Sequence, residues 1–159
     1  ERLDLGIDGA DEIDPHLDVV KGRGGALVYE KLVALACERY LIVAAAEKLV
    51  EQLGTRMPLP VEVVPIGWKQ TAARVEQTGC RATLRCGTDG SPFVSDGGHY
   101  VLDCVTGPIT DVNELAGAIK AITGVVDHGI FAGLADRAMV VDPDGTVRTL
   151  KRGGVAPNS

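Results

Sequence analysis

Hydrophobic and polar positions change period several times along the 159-residue chain. In RLDLGID, Leu3, Leu5 and Ile7 alternate with Asp4, Gly6 and Asp8, the period of two expected of a strand. DGADEIDP follows as a loop, with Gly9 and Pro15 as breakers. LDVVKG reads as a short strand. GGALVYEKLVALACERY reads as a glycine turn entering a helix of about fourteen residues, roughly 21 Å long. LIVAAA is short and apolar on both faces, the pattern of a buried strand. Strand, loop, helix, strand predicts an α/β arrangement with a parallel sheet.

The pattern changes at RMPLPVEVVPIG, where Pro58, Pro60 and Pro65 punctuate a short strand whose apolar positions are Val61, Val63 and Ile66. WKQTAARVEQT predicts a helix, ATLRC a strand, TDGSP a turn and HYVLDCVTG an alternating strand. DVNELAGAIKAI predicts an amphipathic helix with Asp111 at its N-cap. GVVDHGIF predicts one further strand. This β-α-β-β-α-β order is the ferredoxin-like arrangement. RAMVVDP and TVRTLK predict a closing hairpin around DPDG. The fold expectation is therefore α/β: an open, mostly parallel, Rossmann-like sheet with an inserted ferredoxin-like α+β subdomain. Residues 1–60 with 129–159 would form the body, to which the hairpin returns, and 61–128 the subdomain.

Composition narrows the function classes. A hydrophobic content of 45% with 24% charged residues can bury a core. The net charge of −6 argues against a nucleic-acid surface, where a basic stripe is expected. No apolar run approaches the roughly 20 residues that span a bilayer, and no charged segment leads into a signal-like apolar run. Cys37, Cys80, Cys86 and Cys104 form no CxxC and lie far in sequence from His16, His99 and His128. That spacing does not suit zinc. Reduced thiols in a cytoplasmic protein are the expectation.

The chemistry concentrates near the start. Asp8, Asp11, Glu12 and Asp14 place four acids in seven positions, ahead of KGRGG and of a helix with Glu30 and Lys31 in its apolar middle. Carboxylates just past a parallel strand sit where open sheets bind ligands and can hydrogen-bond sugar hydroxyls; an acidic turn capping its own loop is the plainer alternative. A calcium loop would need D-x-[DN]-x-[DN]-G and a trailing Glu, which are missing. KGRGGA before a helix offers backbone N–H groups and a positive helix end for an anion, with Lys21 adding a full charge. The helical neighbours of Glu30 are Ala26, Leu27, Val33 and Ala34. A carboxylate in that company is partly desolvated, and its pKa rises toward that of a general base. The alternative is that Glu30 and Lys31 straddle the solvent edge of the helix.

Taken together, DGADEID, KGRGGALVYEK and AAAEK, followed by MPLPVEVVPIG, GVVDHGIFAGLADRAMV and DPDGTV, resemble the signature of type A ribose-5-phosphate isomerases over nearly the whole chain. The resemblance implies interconversion of ribose 5-phosphate and ribulose 5-phosphate, a step of the non-oxidative pentose phosphate pathway. It implies Glu30 as the catalytic base, and Asp8 and Asp11 as the sugar-binding carboxylates that assist ring opening. Lys21 would stabilise the enediolate oxygen, helped by the backbone of Gly22, Arg23 and Gly24. Lys48 would contact the phosphate, and Gly9 and Ala10 complete the substrate-binding segment. No metal or cofactor is implied, the partner is a small sugar phosphate, and a homodimer or homotetramer is expected. Family members often carry an acid where this chain has Ala45. They also carry an upstream Thr-Gly-Ser-Thr phosphate loop with no counterpart here, so the expectation is a chain truncated at its start. A non-catalytic sugar-phosphate sensor of the same fold is the competing function, against which a retained Glu30 argues.

Overall fold

The computed structural model describes residues 2–153. Strands β1 (Gly6–Asp8) and β4 (Tyr40–Ala45) are parallel, β10 (Arg137–Val141) is parallel to β4, and β11 (Val147–Lys151) closes the edge antiparallel to β10. The order is β1-β4-β10-β11. Short strands β2 (Glu12–Ile13), β3 (Val19–Val20) and β9 (Ile130–Phe131) form a second, antiparallel sheet. The third sheet, in the order β6-β7-β5-β8, uses β5 (Leu59–Val63), β6 (Arg81–Leu84), β7 (Tyr100–Val105) and β8 (Val125–His128). Helices α2 (Trp68–Glu76) and α3 (Val112–Lys120) complete its ferredoxin-like β-α-β-β-α-β order. Helix α1 (Leu27–Ala36) enters from the KGRGG turn, and a 3₁₀ turn, Ala46–Lys48, follows β4. The mixed α/β class with a mostly parallel sheet is as the patterning predicts. Among the described residues, no helix is long and apolar enough to cross a membrane.

Two apolar clusters organise these layers. Ile13, Leu17, Val19, Ile42, Phe131 and Val140 pack beneath the parallel sheet. Leu59, Val61, Val63, Val75, Leu102 and Ile119 fill the space between the third sheet and its helices. Asp111 caps α3, its carboxylate accepting the Glu114 N–H at 2.9 Å. Such a cap satisfies one of the N–H groups that a helix start leaves without a partner.

Several expectations need correction. GVVDHGIF is two strands in two sheets rather than one. The break falls at Gly129, whose N–H donates to the Pro60 carbonyl and whose carbonyl accepts from Lys21, each at 2.8 Å. A Cβ there would lie 2.1 Å from the Lys21 carbonyl, so only glycine lets β8 hand over to β9 this close to another backbone. Helix α1 has ten residues, shorter than the pattern suggested. Cys37 turns extended and bridges to Leu3, and Glu38 N–H donates to the Leu3 carbonyl at 2.7 Å, which commits this segment to sheet. For the same reason Leu3 makes only an isolated bridge, and the regular strand starts at Gly6. LIVAAA is buried on one face only: Ile42 is fully buried, whereas Val43 on the opposite face is exposed. Ile7 is exposed on β1 while Gly6 faces inward against Cys37 and Tyr40.

Two of the four clustered acids prove architectural. Glu12 is fully buried, and its carboxylate accepts the N–H groups of Gly54, Arg56 and Met57 at 2.5–2.8 Å. Asp14 accepts from His16 and Asp18 N–H, closing the turn between β2 and β3. Burial raises the Asp14 pKa despite these bonds. Removing the Glu12 carboxylate would strand three N–H groups at a cost of roughly 1–3 kcal/mol each where they stay dry. Glu12→Ala is accordingly expected to destabilise the fold by about 3 kcal/mol or more in urea denaturation. A loss below about 1 kcal/mol would contradict this role.

Candidate active site

Parallel pairing of β1 with β4 brings their carboxyl ends to one edge of the sheet. Asp8 ends β1, and Lys48 ends the turn that follows β4. Loops beyond such strand ends are where open sheets hold ligands. Lys21, directly after β3, reaches into the same space because its N–H is pinned to Gly129. Glu30 arrives from the first turn of α1. A cleft of about 280 Å³ results, lined by Asp8, Gly9, Ala10, Asp11, Lys21, Gly22, Arg23, Gly24, Glu30 and Lys48. Every residue to which the family resemblance gave a site role thus borders one cavity, whereas Glu12, Asp14 and Lys31 do not. A larger cavity of about 440 Å³, beside α3 and Thr78, holds no cationic side chain, and its Asp111 is already engaged in capping.

The electrostatic centre is Lys21, 4% exposed. Its Nζ donates to the Gly9 carbonyl at 2.7 Å, pairs with Asp8 Oδ2 at 3.0 Å and lies 3.4 Å from Glu30 Oε2. It also stands 5.7 Å from the centre of the Phe131 ring. Asp8 is further fixed by the Tyr40 hydroxyl, which donates to Oδ2 at 2.9 Å, and by the Gly9 N–H on Oδ1 at 2.7 Å. Burial, with Asp8 alongside, pushes the Tyr40 phenol far above its ordinary range, so it remains a donor. Asp11 Oδ2 accepts the Arg23 N–H at 3.2 Å, joining the acidic loop to the glycine turn. Lys48 makes no ion pair or hydrogen bond through its ammonium among the described residues.

Glu30 and Lys31 point to different partners, and their side chains are 27% and 12% exposed. Lys31 Nζ bonds Asp127 at 2.5 Å and the His128 carbonyl at 2.6 Å, which anchors α1 to β8. Burial lowers the Lys31 pKa, and Asp127 opposes that effect. Burial works against the Asp127 carboxylate, yet the Lys31 bond and charge win and hold its pKa down at about 2. Glu30 has no such bond. Its Oε2 is buried and makes no hydrogen bond, although the Lys21 ammonium is at ion-pair distance. Burial raises the Glu30 pKa above 4.5; Lys21 pulls it down, and Asp8 and Asp11 push it up. Burial therefore outweighs the cation, leaving a carboxylate with more affinity for a proton than an exposed one.

The start of α1 has no side-chain cap; Ala26 stands at the N-cap position. Its first-turn N–H groups therefore have no acceptor from a capping side chain. The sequence reading missed two contributors. Tyr40 opens a strand and gave no sign that its hydroxyl reaches Asp8, and nothing in GVVDHGIF set Phe131 apart. A polar aromatic at the start of an apolar run was the only available signal for Tyr40.

The family model for ribose 5-phosphate isomerase A (phosphoriboisomerase A) matches residues 1–145. The chain belongs to the ribose 5-phosphate isomerase A family. A curated ribose-5-phosphate isomerase A from Synechococcus sp. (strain JA-3-3Ab) is 51% identical over 152 residues, covering 95% of this chain and 66% of that protein. One from Roseiflexus castenholzii is 51% identical over 145 residues, covering 91% and 62%. The chain therefore spans a little under two thirds of the length of these relatives. Among solved structures, ribose 5-phosphate isomerase from Plasmodium falciparum superposes with a TM-score of 0.92 at 38% identity, covering 97% of this chain and 68% of that one. A D-ribose-5-phosphate isomerase in complex with phospho-erythronic acid gives 0.91 at 35% identity, covering 96% and 66%.

The opposing influences on Glu30 are separable by titration. Followed by carbon NMR of its side-chain carboxyl, Glu30 is expected to titrate with a midpoint above the ordinary 4.5. Lys21→Met is expected to raise that midpoint further, since the ammonium is what lowers it. A midpoint at or below 4.5, or a fall in the Lys21→Met protein, would contradict the electrostatic account.

Proposed function

We propose that this chain carries the catalytic centre of an aldose–ketose isomerase that interconverts ribose 5-phosphate and ribulose 5-phosphate. The observation that carries the reading is Glu30 Oε2, a buried carboxylate oxygen without a hydrogen bond, 3.4 Å from a buried ammonium. A desolvated base beside a fixed cation is what carbon-acid proton transfer needs. Family membership, and the phosphorylated sugar acid held by a solved relative, support the same substrate class.

In this reading Glu30 removes the proton from C2 of the open-chain aldose. The C–H electron pair becomes the C1=C2 bond of an enediolate, and O1 takes up the negative charge beside Lys21. A proton passes from O2 to O1. Glu30 then returns its proton to C1, leaving a carbonyl at C2. Asp8, held by Tyr40 and Lys21, and Asp11 accept the sugar hydroxyls and assist ring opening. Gly9 and Ala10 shape that wall of the cleft, and Gly22, Arg23 and Gly24 supply backbone to the oxyanion side. The unpaired Lys48 ammonium meets the phosphate. Positive charge comes from Lys21, so a metal has no required part.

The division of the chain fits the same scheme, with residues 1–60 and 129–159 as the reacting body and 61–128 as its support. A cytoplasmic setting suits four unpaired cysteines. Self-association as a homodimer or homotetramer would cover the exposed Leu32, Val33 and Leu35 of α1.

Glu30→Gln, made in the natural protein at its full length, is expected to lower turnover by about 10²–10⁴-fold while sugar-phosphate affinity stays nearly constant. A variant keeping more than about a tenth of the rate would remove Glu30 as the base. The base works ionised, so kcat/KM should fall as pH drops through the raised Glu30 pKa, with the acid limb above 4.5. Excess EDTA is expected to leave turnover unchanged; a loss restored by a divalent ion would overturn the assignment of the charge to Lys21.

A further inference from the structure

Beyond the cleft, a second set of groups grips the glycine turn from behind. Arg85 follows β6, and its side chain is only 14% exposed. It makes a two-pronged pair with Asp103 of β7, Nε to Oδ2 at 3.0 Å and Nη2 to Oδ1 at 2.5 Å. The remaining prong, Nη1, donates to the carbonyls of Gly22 at 3.2 Å and Arg23 at 2.9 Å. The guanidinium also lies 5.5 Å from the Phe93 ring centre. Phe93 in turn fills the space where a Cβ on Gly25 would lie, 2.6 Å from such an atom. Asp96 N–H donates to the Gly25 carbonyl at 3.1 Å. The segment joining β6 to β7 thus wraps one side of the KGRGG turn.

The consequence follows from peptide geometry. In a trans peptide the carbonyl and the N–H point in opposite directions, and the described chain has no cis bonds. The Gly22 carbonyl shares its peptide plane with the Arg23 N–H, and the Arg23 carbonyl shares its plane with the Gly24 N–H. Drawing both carbonyls to Arg85 turns both N–H groups the other way. The Arg23 N–H does point to Asp11 in the cleft wall. The Gly24 N–H has no intramolecular acceptor among the described residues, and Gly24 has open space around its Cα. We propose that Arg85, held by Asp103, is a positioning residue for the reaction: it clamps the Arg23 carbonyl and, together with the Gly25 N–H, the Gly22 carbonyl, so that the Arg23 N–H holds Asp11 in the cleft wall and the Gly24 N–H is left to face the developing oxyanion.

A donor aimed in advance lowers the barrier because it needs no reorganisation when the charge appears. The clamp is a property of the fold, and its catalytic effect rests on the isomerase reading above. Arginine suits the task because its planar fork can hold a carboxylate with one edge and carbonyls with another, which a lysine ammonium cannot do.

The test pairs kinetics with backbone NMR in the natural full-length protein. Arg85→Met is expected to lower kcat for ribose 5-phosphate by about 10- to 100-fold with KM changed less than about threefold, since the lost interaction strengthens only as charge develops. The Arg23 and Gly24 amide resonances should shift. Asp103→Asn, which leaves the arginine in place but unheld, should move both readouts in the same direction by less. The double variant should be no slower than Arg85→Met alone. Unmoved amides would overturn the clamp. So would a lower melting temperature with kcat within about twofold of the parent, which is the mark of a merely structural ion pair. If the parent protein itself fails to convert ribose 5-phosphate, the isomerase reading falls, and the clamp is judged on the amide resonances alone.

Discussion

The site depends on one buried ammonium. Lys21 is almost fully enclosed, and a lone charge in such a place would cost several kcal/mol. The fold offsets that cost with the Gly9 carbonyl, the Asp8 carboxylate and the nearby Glu30. These partners come from two stretches of chain and Lys21 itself from a third, so placing Lys21 fixes the acidic loop, the glycine turn and α1 relative to one another. The Gly129 contact sets the Lys21 backbone, and the open Cα of that glycine permits it. The ammonium is therefore both a structural joint and the charge that a reacting oxygen would meet.

Glu30 gains its character from what this arrangement withholds. Lys31, one residue on, is matched by Asp127 and a carbonyl, and it acts as an anchor. Glu30 receives a cation at 3.4 Å but no hydrogen bond, so burial prevails and its proton affinity rises. A fully bonded carboxylate would be stable and inert, as Glu12 is. The contrast between Glu12, fully buried with three N–H donors, and Glu30, in the charged cleft without a hydrogen bond to Oε2, separates an architectural carboxylate from the proposed base by hydrogen-bond count.

Much of this was legible in the chain. Period-two and period-3.6 patterns gave the order of elements, and spacing gave Asp111 as a cap. The candidate residues lie within a stretch from Asp8 to Lys48, short enough that one strand–loop–helix–strand unit had to bring them near each other. What patterning could not give came from backbone contacts between distant segments. Gly129 splits an apolar run into two sheets because of Lys21 and Pro60, neither of which is near it in sequence. Cys37 leaves the helix to pair with Leu3. Glu12 looked like part of an acidic ligand cluster until three N–H groups from residues 54–57 claimed it. Arg85 could not be connected to the glycine turn, because 62 residues separate it from Arg23. Local patterns report propensity and burial, whereas these features are settled by tertiary hydrogen bonds.

The central claim is that a proton leaves one carbon and returns to its neighbour by way of Glu30 and an enediolate beside Lys21. The most direct measurement is proton NMR of ribose 5-phosphate incubated with the natural full-length protein in D₂O. The account predicts ribulose 5-phosphate that gains solvent deuterium at C1, because the proton held by Glu30 exchanges with solvent during some turnovers. Conversion with complete retention of the original hydrogen would point to a hydride shift instead and would contradict it.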